Sequence, residues 1–241
     1  MQFQLTTTFI ENIEQLIAKK DRNALKEVLH DIHFADIAEL LEELKAEEAV
    51  YLIKSLESEI TSEALMELDE DDREKILSRL SPKEIAKEIE EMDTDDAADV
   101  VAELDDHIQQ KVIEKIEDEE HASDIAELLT YDEDTAGALM AKELVQVKET
   151  WTVAGCVREM RRQAENVTRV HSIYVTDKDG KLKGRLSLKD LLTASTKTHI
   201  SEIYIPKVDY VTVATEDEEV ARIMQKYDLE AIPVVDEEGV L

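Results

Sequence analysis

From residue 37 the chain alternates short apolar stripes with acidic breaks. Ile37, Leu40, Leu41 and Leu44 recur at helical spacing, as do Val50, Leu52, Ile53 and Leu56. Further stripes cover 64–68, 73–80, 85–92, 97–104, 108–116 and 125–129. Each is two or three turns long, the pattern of an amphipathic helix that buries one face. The breaks between them, "LKAEE", "DEDD", "SPKE", "DTDD" and "EDEEHASD", are rich in capping residues. In "SPKE" Ser81 suits an N-cap and Pro82 the first helical position, with Glu84 following. "DIAELL" stands at 36–41 and again, letter for letter, at 124–129. Short helices that cannot bury a face alone stack on their neighbours, so the spacing predicts a superhelical array of helical repeats.

Near residue 131 the period changes from helical to alternating. "LVQV" (144–147) predicts a strand, and "TVAGCVREMRRQAE" (152–165) an amphipathic helix. "SIYVTD" (172–177), the turn "KDGK" and "LKGRLSL" (182–188) predict a β-hairpin, and "KDLLTAS" a short helix. The order β-α-β-β-α then begins again. "YVTVA" (210–214) reads as a strand, "EDEEVARIMQKYD" (216–228) as a helix and "AIPVVDEEG" (231–239) as a strand entering a turn. Asp177–Gly180 and Asp236–Gly239 fall at matching points of the two copies. The second copy stops at Leu241, where its second hairpin strand is due, so it is expected to be incomplete. The fold class is therefore multidomain α and α/β. A helical-repeat domain spans 1–131, a first β-α-β-β-α copy 132–198 and a truncated second copy 199–241.

Charge narrows the partners. With 59 acidic and 28 basic residues, the formal net charge is −31. Nucleic acid needs a basic footprint that releases counterions, so it is excluded as a partner. Anionic membrane surfaces are disfavoured for the same reason. Cations, basic partners or plain solubility fit. The lone Cys156 precludes an internal disulfide and suits a reducing compartment. The start, "MQFQLTTTFIENIEQ", lacks the basic and apolar regions of a secretory leader. No stretch approaches the ~18 apolar residues of a membrane span, so a soluble, cytoplasmic chain is expected.

The candidate chemistry centres on "MDTDDAADVV" (92–101). On a helix Asp95 and Asp99 are i,i+4 neighbours and Asp96 and Asp99 are i,i+3, so their carboxylates share a face. Like charges so placed repel by a few tenths of a kcal/mol per pair. Asp93 or Thr94 could cap the helix, and Asp95 and Asp96 in the first turn complement its dipole. Asp99, a turn further in, gains nothing from capping. No enzyme is expected. The six His, at 30, 33, 107, 121, 171 and 199, share no ligand spacing with Cys156. No Gly-rich phosphate loop, nucleophile elbow or H-E-x-x-H occurs either. Trp151 reads as a packing residue.

Two β-α-β-β-α copies with "G-x-L-S-L-K-D-L" (184–191) resemble a CBS (cystathionine-β-synthase-type) domain pair. "YDEDTAGALM" (131–140) resembles the Y-x-E-x-T-A-G-x-x-M signature that opens the CBS region of MgtE-type magnesium channels. The acidic helical repeats are similar to the N domain of that family. The resemblance implies a magnesium sensor on the cytoplasmic face of the cell membrane. It further implies a homodimer joined through its CBS domains and coupled to its own transmembrane pore, which is absent from these residues. In such proteins Mg²⁺ binds between N and CBS domains, the cytosolic part compacts and the pore closes. Residue by residue, the resemblance places ligands at Asp95 and Asp99 with neighbouring Asp96, at Glu63, and at Glu216, Glu218 and Asp228. Some have a blander explanation. Glu63 suits an exposed helix face, and Glu216 and Glu218 suit a helix start. Asp228, at the far end of its helix, opposes the dipole and most needs a reason. CBS pairs also bind adenosine nucleotides such as ATP through an S/T-x-x-D stretch, matched by Ser187, Lys189 and Asp190. Leu229 and Ser172 stand where an aromatic would stack on the base. Two alternatives thus remain open: a nucleotide-sensing CBS module, and a helical-repeat scaffold for a basic partner.

Overall fold

Capping side chains fix where each helix of the first half begins. In a computed structural model, residues 3–163, 170 and 172–241 are described. Thr6 accepts the Phe9 N–H to open α1 (Thr7–Ala18), and Asp21 accepts the Ala24 N–H to open α2 (Arg22–Leu29). Next come α3 (Phe34–Glu43), α4 (Ala46–Ile53), α5 (Ser58–Glu67) and α6 (Glu70–Leu77), the last capped by Asp69. α7 (Pro82–Ile89) starts as its sequence asks. Ser81 Oγ accepts the Glu84 N–H, and the Glu84 carboxylate accepts the Ser81 N–H at 2.8 Å. α8 (Thr94–Ala102), α9 (Asp106–Ile113) and α10 (Glu119–Leu128) follow. The apolar stripes anticipate α3 to α10. They leave out α1 and α2, which extend the same pattern through buried Ile13, Ile17, Leu25 and Leu29.

The chain divides into two compact units, Met1–Met92 with Asp96–Ile125, and Asp93–Asp95 with Ala126–Leu241. In the first, alternate helices stack in rows. α3 packs on α5, α5 on α7 and α7 on α9, while α4 packs on α1 and α6. Leu40, Leu52, Leu65, Leu77, Ile85 and Ile89 fill the core between them. α5 departs from the apolar rule, because its buried face holds Ser58, Thr61 and Ser62 beside Ala64 and Leu65. Small hydroxyl side chains there give no apolar stripe, which is why the sequence pattern recovers only the second half of that helix.

The second unit carries a four-stranded sheet in the order β1-β2-β3-β4. β1 (Val145–Lys148) runs parallel to β2 (Ile173–Thr176), with α11 (Val153–Gln163) between them in sequence. The end of the expected helix, 164–165, lies outside the described residues. β3 (Leu182–Leu186) returns antiparallel to β2, as the hairpin predicts. α12 (Leu188–Thr193) follows, and the two-residue β4 (Ile205–Pro206), unforeseen, closes the sheet edge on β3. Gly184 is needed there, since a Cβ on it would stand 2.2 Å from the Ile205 carbonyl oxygen. Val145, Val147, Val153, Cys156, Val175 and Leu191 are among the core of this copy, with Trp151 packed against it as expected. Burial pushes the Cys156 thiol up to about 11, so it packs as an inert apolar group.

The second copy repeats the plan in brief: β5 (Val211–Thr212), α13 (Asp217–Tyr227) and β6 (Val234–Val235), with β5 and β6 parallel. Its strands are shorter than the alternation suggests. The two acidic turns match in detail. Asp177 Oδ1 accepts the N–H groups of Asp179 and Lys181, and Asp236 Oδ1 those of Glu238 and Val240. Gly180 (φ +84°) and Gly239 (φ +80°) take the left-handed conformation that completes each turn.

Candidate metal-binding residues

The Asp95–Asp99 cluster lies on α8, with Asp95 and Asp96 half-buried in its first turn and Asp99 exposed one turn later. The spacing on the helix is therefore the one that crowds carboxylates on a shared face. A distant carboxylate also meets the start of this helix. Thr94 is 1% exposed, and its hydroxyl donates to Glu143 Oε2 at 2.8 Å while accepting the Lys142 N–H at 2.8 Å. The Thr94 N–H points to both oxygens of the same Glu143 carboxylate, at 3.2 Å. A carboxylate 49 positions away in sequence thus meets the first N–H of the helix. No local sequence signal could have identified Glu143.

Asp99 stands one helical turn before Glu103, which Arg73 of α6 grips. Arg73 Nε lies 2.9 Å from Glu103 Oε2, and its Nη1 reaches the carbonyls of Leu65 and Leu68 at 3.1 and 3.3 Å. The hydrogen bond to Glu103 raises the Arg73 pKa first, and the charges of Glu70 and Asp99 add to it. Asp99 therefore sits within the field of a buried guanidinium. Glu63 is exposed on α5. Among the described residues, no group of three or more His, Cys, Asp or Glu side chains converges closely enough to enclose a metal ion.

In the second unit α13 carries the other candidates. Glu216 is its N-cap residue and Glu218 lies in its first turn, both exposed. Asp228 ends the helix in the left-handed conformation, φ +52° and ψ +51°, with the Leu229 N–H returning to the Met224 carbonyl at 3.0 Å. Asp is one of the few side chains that tolerates that conformation. Backbone geometry thus gives Asp228 a local reason to be there, which the helix dipole alone does not.

The decapeptide at 131–140 positions the start of α13. The Ala136 N–H bonds the Thr215 carbonyl at 2.8 Å, the Gly137 N–H the Val213 carbonyl at 2.9 Å, and the Asp217 N–H the Asp134 carbonyl at 3.0 Å. Gly137 admits no side chain, because a Cβ would meet the Tyr131 ring at 2.7 Å and the Val213 oxygen at 3.0 Å. Tyr131 hydroxyl and Lys142 Nζ both bond Glu127 Oε1, at 3.1 and 2.8 Å. The Lys142 bond holds the Glu127 carboxyl below its ordinary value.

Ser187 precedes α12 without capping it through its side chain, while Lys189 is exposed and Asp190 half-buried in the first turn. A cavity of about 450 Å³ opens instead beside the ends of β1 and β2, lined by Lys148, Trp151, Glu159, Lys178 and Asp179 among others. None of Ser187, Lys189 and Asp190 lines it.

Comparison with known proteins gives concordant matches. The model of the MgtE intracellular N domain matches residues 32–134, and that of the CBS domain matches 136–197 and 200–241. The magnesium transporter MgtE of Thermus thermophilus is 50% identical over 109 residues, 45% of this chain and 24% of that transporter. That of Enterococcus faecalis is 34% identical over 108 residues, again 45% and 24%. The matched stretch is thus about a quarter of the length of these relatives. A crystal structure of the cytosolic domain of the Mg²⁺ channel MgtE in complex with ATP superposes with a TM-score of 0.87 at 37% identity, covering 96% of this chain and 94% of that one. The soluble part of a magnesium transporter gives 0.82 at 27%, covering 96% and 91%. No helix among the described residues is long and apolar enough to cross a membrane.

Proposed function

The chain belongs to the MgtE family of magnesium transporters, and from that premise we propose that it is the cytosolic, Mg²⁺-sensing regulatory region of such a transporter. The observation that carries this is the likeness over 96% of the chain to a cytosolic domain of the Mg²⁺ channel MgtE. Asp95, Asp96, Asp99 and Glu63 of the helical domain, with Glu216, Glu218 and Asp228 of the second CBS copy, supply the carboxylates. Mg²⁺ keeps several of its waters and takes only one or two carboxylates at a time, so scattered acids suit it better than an enclosed cage. At low Mg²⁺, repulsion between acidic surfaces favours an open state. Bound ions reverse that sign and shift the population toward a compact state, by no more than their differential affinity for the two. In the intact protein, a homodimer joined through CBS domains, compaction closes the pore on the cytoplasmic face of the membrane.

Small-angle scattering with and without millimolar Mg²⁺, at matched ionic strength, tests the mechanism. The radius of gyration is expected to fall, and an unchanged value refutes it. The triple replacement Asp95→Ala, Asp99→Ala and Asp228→Ala is expected to abolish the fall. Compaction that persists in this variant means that the ligands lie elsewhere.

A second reading, ATP binding, is favoured by the ATP present in the related cytosolic domain. Ser187, Lys189 and Asp190 would meet the ribose. Calorimetric titration of ATP without divalent ions decides it: heat that vanishes in Asp190→Ala supports the site, and no heat excludes it.

A further inference from the structure

Glu88 is the one acid among the buried residues of the described chain, 5% exposed on α7. Its Oε1 lies 3.2 Å from Ser58 Oγ, and its Oε2 is hydrogen-bonded to Thr61 Oγ1, both on α5. These partners are hydroxyls, not cations. The charges acting on it are Lys87 of its own helix and Glu91 just past the helix end, opposite in sign. Those of α5, Glu59, Glu63 and Glu67, are acidic and exposed, as is Glu57 just before it. On α9, which also packs against α7, Asp106, His107 and Lys111 are exposed.

Counting protons decides between the two states of this group. Thr61 Oγ1 has a single proton but two acceptors within reach, the Glu88 carboxyl and the Glu57 carbonyl at 3.3 Å. An ionised Glu88 would take the proton of Thr61 and that of Ser58, and would still bury a full negative charge with no cation against it. A protonated Glu88 donates to Thr61 Oγ1, which passes its own proton to the Glu57 carbonyl. Every hydrogen atom then has an acceptor, and no charge is buried.

We propose that Glu88 is a proton-binding site inside the helical domain, held as the neutral acid between the hydroxyls of Ser58 and Thr61. Burial, the largest influence on the group, pushes it upward, against smaller downward pulls from Thr61 and Ser58. A raised folded value means that folding takes up a proton. The stability it contributes is complete below the unfolded value and is lost as pH rises through the folded one. The helical domain therefore holds together better as the medium acidifies through this window. This inference stands whether or not the magnesium mechanism does.

The test is a titration of the Glu88 carboxyl carbon by NMR in the whole chain, assigned through its backbone and checked against Glu88→Gln. A midpoint above those of the exposed glutamates is expected. Thermal unfolding gives a second readout, since Glu88→Gln mimics the protonated acid. The variant is expected to melt higher than the parent at pH 8, with the difference closing as pH falls to 4. A carboxyl midpoint in the ordinary range overturns the proposal, as does a Glu88→Gln variant that melts lower than the parent at pH 8. If the variant does not fold, the parent titration still decides.

Discussion

Ser62 is 1% exposed, and its hydroxyl has no hydrogen-bond partner among the described residues. A buried donor left unpaired pays its desolvation without return. Ser62→Ala is therefore expected to stabilise the chain, by about 1 kcal/mol, measured by urea denaturation. Arg73 is the opposite case. Its partner Glu103 has a side chain only 13% exposed, so Arg73→Met strands a nearly buried carboxylate. We expect a loss of about 3–5 kcal/mol, most of it recovered when Glu103→Met is added. Asp228 separates two roles that coincide at one position. Asp228→Asn keeps a side chain suited to the left-handed conformation and removes the charge. It is expected to leave the melting temperature unchanged while weakening the Mg²⁺-induced compaction. A lower melting temperature with intact compaction would mean that only the helix end needs Asp228.

Among the elements, α7 shows how far local sequence reaches. "SPKE" announces its start, and the structure has the reciprocal Ser81–Glu84 bonds. The Ser81 N–H, with the Lys54 ammonium 2.9 Å away, holds the Glu84 carboxyl at about 2. A folded value below the unfolded one contributes stability that is present above the unfolded value and lost as pH falls toward 2. Acid titration of helicity by circular dichroism is expected to be shallower in Glu84→Gln than in the parent. Elements with such local grammar, α3 to α10 and the hairpin, were legible in the sequence. α1 carries the same signal in Ile10, Ile13 and Ile17, ahead of the stretch whose stripes read as repeats. What was not legible depends on distance along the chain. Glu143 caps α8 from 49 residues away, and β4 is two residues long, too short for any period. The first half of α5 buries hydroxyls where a pattern reader looks for methyl groups. The acids of the candidate site were legible by type and spacing, whereas the left-handed backbone at Asp228 was not.

At the scale of the whole molecule, charge dominates. A net charge of −31 on 241 residues repels itself in any compact state. Sodium chloride screens that repulsion over roughly 8–10 Å at physiological strength, so the melting temperature is expected to rise with salt. Mg²⁺ at equal ionic strength is expected to raise it further, because a bound ion acts at contact rather than through screening. Equal effects of the two salts would leave only screening.

The rows of helices have a mechanical consequence. α3, α5, α7 and α9 each touch the next member of the row, so the stack has the logic of a chain of links rather than a single globule. Such a chain parts at its weakest link, and the α5–α7 link holds the buried acid. Amide exchange at alkaline pH is then expected to divide the stack there into two cooperative blocks, α1–α6 and α7–α9, that open separately. At lower pH the blocks would exchange as one. The same joint that stores a proton would then decide whether the stack behaves as one body or two.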